Sequence, residues 1–126
     1  MTWAKDFAAA QRRSAEASKP MILFFTGTWC VPCRIMKRQV WADEQVMALV
    51  NRQFVPVAID VNDPKNAEMV THYKIEGSPV TIITDSQGNV FDWRAGGISR
   101  SEFLELLDLS NPAGDKNSSS ERKQNG

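Results

Sequence analysis

The spacing of apolar and polar positions along this chain changes several times, and each change marks an element. From Trp3 the positions Trp3, Phe7, Ala10, Ser14 and Ala17 recur at alternating intervals of four and three, the stripe of a helix lying on a core. Lys19 and Pro20 close it. Met21 to Phe25 then form an unbroken apolar run, which predicts a strand covered on both faces, as at the centre of a parallel sheet. Thr26, Gly27 and Thr28 turn the chain. Pro32 suits the first turn of a helix, where its missing N–H is not needed, so a helix is expected to begin beside Cys30 and to continue toward Val40.

Asp43 is placed to cap a further helical stretch through Val46, Met47 and Val50, and Phe54 to Ile59 reads as a second strand. Pro56 cannot donate to a ladder, so that strand is expected at the edge of the sheet with no neighbour on one side. Asp63 and Pro64 start another helix that carries Ala67 and Val70 inward as far as about Tyr73. Val80 to Thr84 and Val90 to Trp93 are short strands joined by Ser86-Gln87-Gly88-Asn89, the turn chemistry of an antiparallel hairpin. Ser99 with Glu102 forms a capping box ahead of Phe103, Leu104 and Leu107, on a helix ending near Leu109. The order predicts an α/β fold, a four-stranded mixed sheet flanked by helices. From Ser110 the composition turns polar and cannot offset the entropy of ordering, so residues 1–109 are expected to form the domain and 110–126 a disordered tail.

Composition narrows the function classes. The 126 residues carry 15 Lys and Arg against 15 Asp and Glu, so no net field draws the chain to nucleic acid or to an anionic membrane. The longest apolar run is far too short to span a bilayer, and the amino terminus lacks the apolar region of an export signal. A soluble monomer without membrane span is expected, cytoplasmic as the chain stands and periplasmic if an export signal had been removed from it.

Two cysteines are too few for a stapled secreted scaffold or a four-thiolate metal site. They stand three positions apart, so a bond between them closes too small a loop to stabilise much. Their placement after a buried strand and at a helix start supplies a mechanism instead. A thiol there faces unpaired N–H groups and the positive end of the helix dipole, which favour the thiolate. Cys30 is assigned as the nucleophile and Cys33, one turn further in, as the resolving thiol that attacks the mixed disulfide formed by Cys30. Val31-Pro32 offers no charge to stabilise the Cys30 thiolate further, which favours a reductant over an oxidase.

Trp29-Cys30-Val31-Pro32-Cys33, behind a hydrophobic strand and followed by Gly77-Ser78-Pro79 before a hairpin, resembles the thioredoxin superfamily over roughly Pro20 to Leu109. Phe25-Thr26-Gly27-Thr28-Trp29-Cys30 and the leading helix are most similar to bacterial thioredoxin-like domains related to periplasmic disulfide reductases. The resemblance implies a thioredoxin-like fold in which the helix from Trp3 replaces the first strand. It implies that Pro79 is cis beside the dithiol and that the Ser78 backbone pairs with an extended substrate segment. Ser78 departs from the bulky aliphatic residue usual in thioredoxin itself. The family often places a buried aspartate where this chain has Phe24, and a partnering lysine near the place of Pro56. Cys33 is therefore expected to lose its proton to water or to another carboxylate, and to attack more slowly than in thioredoxin.

The sequence leaves several roles open. Trp29 reads equally as core packing or substrate contact, Pro32 as a helix-start residue that also limits the motif's flexibility, and Gly77 as a backbone requirement near Pro79. Val31, Gly77, Ser78 and Pro79 join Trp29 and Pro32 as candidate substrate-binding residues. Trp41 and Trp93 are expected to pack, His72 to be exposed and uninvolved, and Arg34, Lys37 and Arg38 to form a solvated face. The expected activity is reduction of protein disulfides with no organic cofactor and no metal, with disulfide-containing proteins as substrates and an upstream redox protein as electron donor. A disulfide isomerase and a redox-inactive peptide-binding module are the alternatives.

Overall fold

Met21 to Thr26 are all buried, and this run forms β1 (Met21–Thr26) at the middle of the sheet in the computed structural model, which describes residues 3–110. β1 pairs in parallel with β2 (Val55–Asp60), Leu23 opposite Val57, and antiparallel with β3 (Val80–Thr84), Phe24 opposite Thr81. β4 (Val90–Ala95) completes the order β2-β1-β3-β4. Beyond residue 110 the expected tail lies outside the described residues.

Alternation along the strands divides the core in two. Met21, Leu23 and Phe25 face one side with Val57, Ile59 and Ile82. There α1 (Phe7–Ala17) contributes Ala10 and α4 (Ala67–His72) contributes Met69. Ile22, Phe24 and Ile83 face the other side. They meet Met36 of α2 (Val31–Met36), Val46 and Val50 of α3 (Glu44–Gln53), and Phe103, Leu106 and Leu107 of α5 (Arg100–Ser110). After Met36 the helix widens into a π-turn, Lys37–Trp41, in which the Ala42 N–H donates to Lys37 O at 3.0 Å. The wide turn brings the adjacent Val40 and Trp41 into the core together. Trp41 packs on Trp3, Phe24 and Phe103 with ring centroids 4.5, 5.4 and 5.0 Å apart.

The helix ends follow their sequence signals. Asp43 accepts from the Val46 N–H at 3.0 Å and pairs with Arg100 at 3.1 Å. The Ser99 N–H donates to Glu102 Oε1 at 2.8 Å while the Glu102 N–H donates to Ser99 Oγ at 3.2 Å, closing the capping box. In the hairpin, Asp85 Oδ1 accepts from the N–H groups of Gln87 and Asn89. Gly88 sits at φ 94°, and a Cβ there would lie 2.8 Å from the Tyr73 hydroxyl that donates to its carbonyl. No other residue fits that position.

Several expectations are corrected. Trp3 and Ala4 precede α1: Ala4 bridges to Val57 in parallel, and its N–H donates to Pro56 O at 2.8 Å. Pro56 does mark an edge strand, but its carbonyl still accepts, so one residue covers an edge expected to be bare. Ala17 and Ala67 are exposed rather than inward: the first is the last residue of α1 and the second the first of α4, where the helix ends leave the core. Thr26 belongs to β1 and is buried, not part of the turn. Among the described residues no helix is long and apolar enough to cross a membrane.

Candidate active site

Three loops converge where β1 hands the chain to α2. Gly27 lies between them: a Cβ there would stand 3.1 Å from Ser78 Oγ, 3.3 Å from Asn62 Oδ1 and 3.6 Å from Cys30 Cβ. The next residue is held at both ends of its backbone. The Thr28 N–H donates to Asn62 Oδ1 at 3.1 Å, and Arg34 Nη1 reaches Thr28 O at 3.5 Å. This clamp fixes the approach to Cys30, which is the N-cap of α2 with extended backbone. Its Sγ accepts from the Cys33 N–H at 3.1 Å. Pro32 stands in the first turn, as expected.

Cys30 and Cys33 form a disulfide, with Cα atoms 5.2 Å apart. Their depths are unequal. Cys30 is partly exposed and Cys33 wholly buried, the arrangement that a surface nucleophile and an inner resolving thiol require. Trp29 is 88% exposed, so it does not cover the core, and Val31, Pro32 and Ile35 continue an apolar collar on the surface around Cys30. Phe24, at the position where a carboxylate is common in the family, is buried in the core with Met36 and Trp41.

The Ser78-Pro79 bond is cis. Ser78 approaches Gly27, and Pro79 O accepts from the Gly96 N–H at 2.8 Å. Gly97 brings the same loop to Pro32, with 3.5 Å from its would-be Cβ to the proline Cβ. Gly77 is exposed, has no atom within 4 Å of a would-be Cβ and no positive φ, so the backbone requirement read for it is not there. From this loop a groove of about 840 Å³ runs past Ile75, Ile82 and Trp93. Trp93 is 56% exposed, against the expectation that it packs, because β4 is an edge strand and no helix covers it there.

Arg34 is exposed on α2, Lys37 and Arg38 are exposed on the π-turn that follows it, and His72 is exposed with its ring edge-on to Tyr73 at 4.7 Å. The clamp residues Asn62 and Arg34 escaped the sequence reading. Asn62 stands two residues beyond Asp60, the end of β2, like any turn residue, and only tertiary structure brings it to Thr28.

A family profile described as thioredoxin-like matches residues 2–86. The chain belongs to the thioredoxin-like family. Within this family it is similar to the thiol:disulfide interchange protein DsbD of Ralstonia nicotianae, 30% identical over 100 residues that make up 78% of this chain and 16% of that one. The corresponding Yersinia pestis protein is 28% identical over 92 residues, again covering 16% of its length. The chain thus spans about a sixth of these thioredoxin-like relatives. Among solved structures, the oxidised C-terminal domain of Neisseria meningitidis DsbD aligns with TM-score 0.72 and 24% identity, covering 86% of this chain and 99% of that domain. A thioredoxin from Thermus thermophilus aligns with TM-score 0.75 and 22% identity over 85% of both chains.

Proposed function

We propose that this thioredoxin-like domain reduces disulfides in other proteins through Cys30 and Cys33. One observation carries the reading: the two bonded sulfurs sit at unequal depth at a helix start, the outer one ringed by exposed apolar side chains. In the reduced form the Cys30 thiolate attacks a partner disulfide, and the displaced partner sulfur leaves as a thiolate that takes a proton from water. Cys33 then loses its proton and attacks Cys30 Sγ. The bond from Cys30 to the partner breaks as the Cys30–Cys33 bond forms, so the partner gains two electrons and the domain loses two. An upstream dithiol protein restores the reduced form, and no organic cofactor is needed because the sulfurs carry the electrons.

One feature supports reduction over isomerisation, and a second supports reduction over oxidation. Cys33 stands within bonding reach of Cys30 before any partner arrives, which favours closure over prolonged attachment. Val31 and Pro32 between the cysteines bring no positive charge to hold Cys30 as a thiolate. The collar of Trp29, Val31 and Pro32, with Gly77, Ser78 and Pro79 facing it, is the surface we assign to the partner polypeptide.

Insulin reduction under a thiol donor, followed by turbidity, tests the reading. The wild-type chain is expected to turn over and Cys30→Ser to lose activity entirely. Titration against glutathione should give a potential on the reducing side of that couple. Equal turnover by Cys30→Ser, or a potential near that of the strongest protein oxidants, overturns the reading.

A further inference from the structure

Three buried polar side-chain atoms have no hydrogen-bond partner among the described residues: Trp41 Nε1, Thr26 Oγ1 and Thr81 Oγ1. Two of these belong together. β1 sends Ile22 and Phe24 to the α2 side of the sheet, and alternation sends Thr26 there as well. β3 sends Ile83 to that side and hence Thr81. Phe24 is opposite Thr81 in the ladder, so Thr26 is the next residue on the same face, diagonal to Thr81 and within reach of a common neighbour. Thr26 is 7% exposed and Thr81 0%. β1 ends and β3 begins at the dithiol end of the sheet, where Cys33 is buried on the core-facing stripe of α2 that continues to Met36. Buried hydroxyls are ordinarily paired, and two adjacent unpaired ones mark a place where a polar group is to be received.

We propose that the Thr26 and Thr81 hydroxyls donate hydrogen bonds to the Cys33 sulfur as it ionises in the resolving step, an inference that rests on the thiol–disulfide reading above. In the disulfide that sulfur carries neither proton nor charge. Once Cys30 is joined to a partner, the Cys33 thiol gives its proton to solvent, and a buried thiolate forms at the start of α2. Two hydroxyl donors lower the cost of that charge while keeping their own protons. The Cys33 thiolate then attacks Cys30 Sγ, and the partner sulfur leaves and is protonated.

The charged groups on the packed elements have other engagements. Asp60 is opposite Thr26 on β2 and accepts from the Asn62 N–H. Arg94 is opposite Thr81 on β4 and pairs with Asp92 at 3.0 Å. Glu102 of α5 accepts from the Ser99 N–H, and Asp43, the N-cap of α3, is bound by Arg100. Arg34 on α2 and Lys37 on the π-turn after it are exposed. None of them hydrogen-bonds either threonine.

The test uses the reduced full chain and a thionitrobenzoate disulfide in stopped flow. The first release reports Cys30 attack and the second reports resolution by Cys33. Thr26→Val and Thr81→Val keep the branched shape and remove only the hydroxyl. Each is expected to slow the second phase about tenfold at neutral pH and to move its pH midpoint up by about one unit, leaving the first phase unchanged. Thr81→Ser should retain the wild-type second phase. Should the valine variants fold poorly, the thiolate absorbance of Cys33 in Cys30→Ser gives the same answer: a midpoint at or below that of a free cysteine, about 8.5, is expected, and one well above it defeats the proposal. A second phase that the double valine variant leaves unchanged also defeats it. A wild-type chain inactive on insulin would instead sink the functional reading, so the two failures are distinct.

Discussion

Gly27 is the residue on which the geometry around Cys30 turns. A Cβ on it would come within 3.1 Å of Ser78 Oγ in the cis-proline loop and 3.3 Å of Asn62 Oδ1 in the β2–α4 loop, so any side chain there presses on both. Gly27→Val is expected to cost about 1–3 kcal/mol of stability, the range for overpacking a close-fitted site. The double change Gly27→Val with Ser78→Ala should recover part of that loss, measured by urea denaturation. If Gly27→Val proves neutral, the three loops are not in contact at this point. The cysteines themselves were legible in the sequence because their spacing and the Pro32 helix start are local signals. Thr26, Thr81 and Asn62 were not. A threonine at the end of an apolar run reads as the start of a turn, and the partners that give such residues meaning arrive from strands and loops distant in sequence.

Among the elements, the helix caps and the hairpin rest on carboxylates whose acidity is increased by folding. The Val46 N–H, with help from Arg100, pulls the Asp43 carboxyl below its ordinary value. Asn89, through its side chain and then its backbone, does the same to Asp85. Ser99 lowers Glu102, with a smaller contribution from Arg94. In the unfolded chain each carboxyl takes up its proton at a higher pH than in the fold. The stability they contribute is therefore fully present above the ordinary carboxylate range, about pH 4, and is lost as pH falls through the depressed values. The melting temperature should fall on acidification below that point, and Asp43→Asn, Asp85→Asn and Glu102→Gln together should flatten the decline. Superimposable profiles for variant and wild type would show that the caps are not what acid attacks. These elements were readable from sequence because a cap is a short-range pattern. The stripe on α1 was overextended to Trp3, since a lone bridge through Ala4 has no period to announce it.

The whole molecule has two sheet edges and guards them differently. β2 relies on Pro56 and the single bridge from Ala4. On β4, the Trp93 N–H donates to Asp92 Oδ1 and Arg94 Nη1 donates to Trp93 O, both at 2.8 Å, with Asp92 and Arg94 also paired to each other. Side chains thus occupy backbone groups that an incoming strand would use. Asp92→Ala with Arg94→Ala is expected to self-associate more strongly than the wild type in sedimentation velocity, because Val90, Phe91 and Trp93 beside those groups are about half exposed. Unchanged sedimentation would mean that the edge is protected by something else. The mixed topology and the edge position of β2 followed from the sequence pattern, whereas the full strand order and the exposure of Trp93 did not, since an aromatic residue in a strand reads alike at an edge and in a core. The wide turn at Lys37–Trp41 sets a further rule on the scale of the whole chain. It holds one residue more than a regular α-turn, and that residue is taken up by widening the turn rather than by advancing the helix. Loss of one exposed residue there, such as Gln39, should let the turn close to the ordinary pitch and keep α3, with the Asp43 grip on Arg100, in place. Such a loss of length should therefore be better tolerated than replacement of the buried Val40 or Trp41 by a small polar residue.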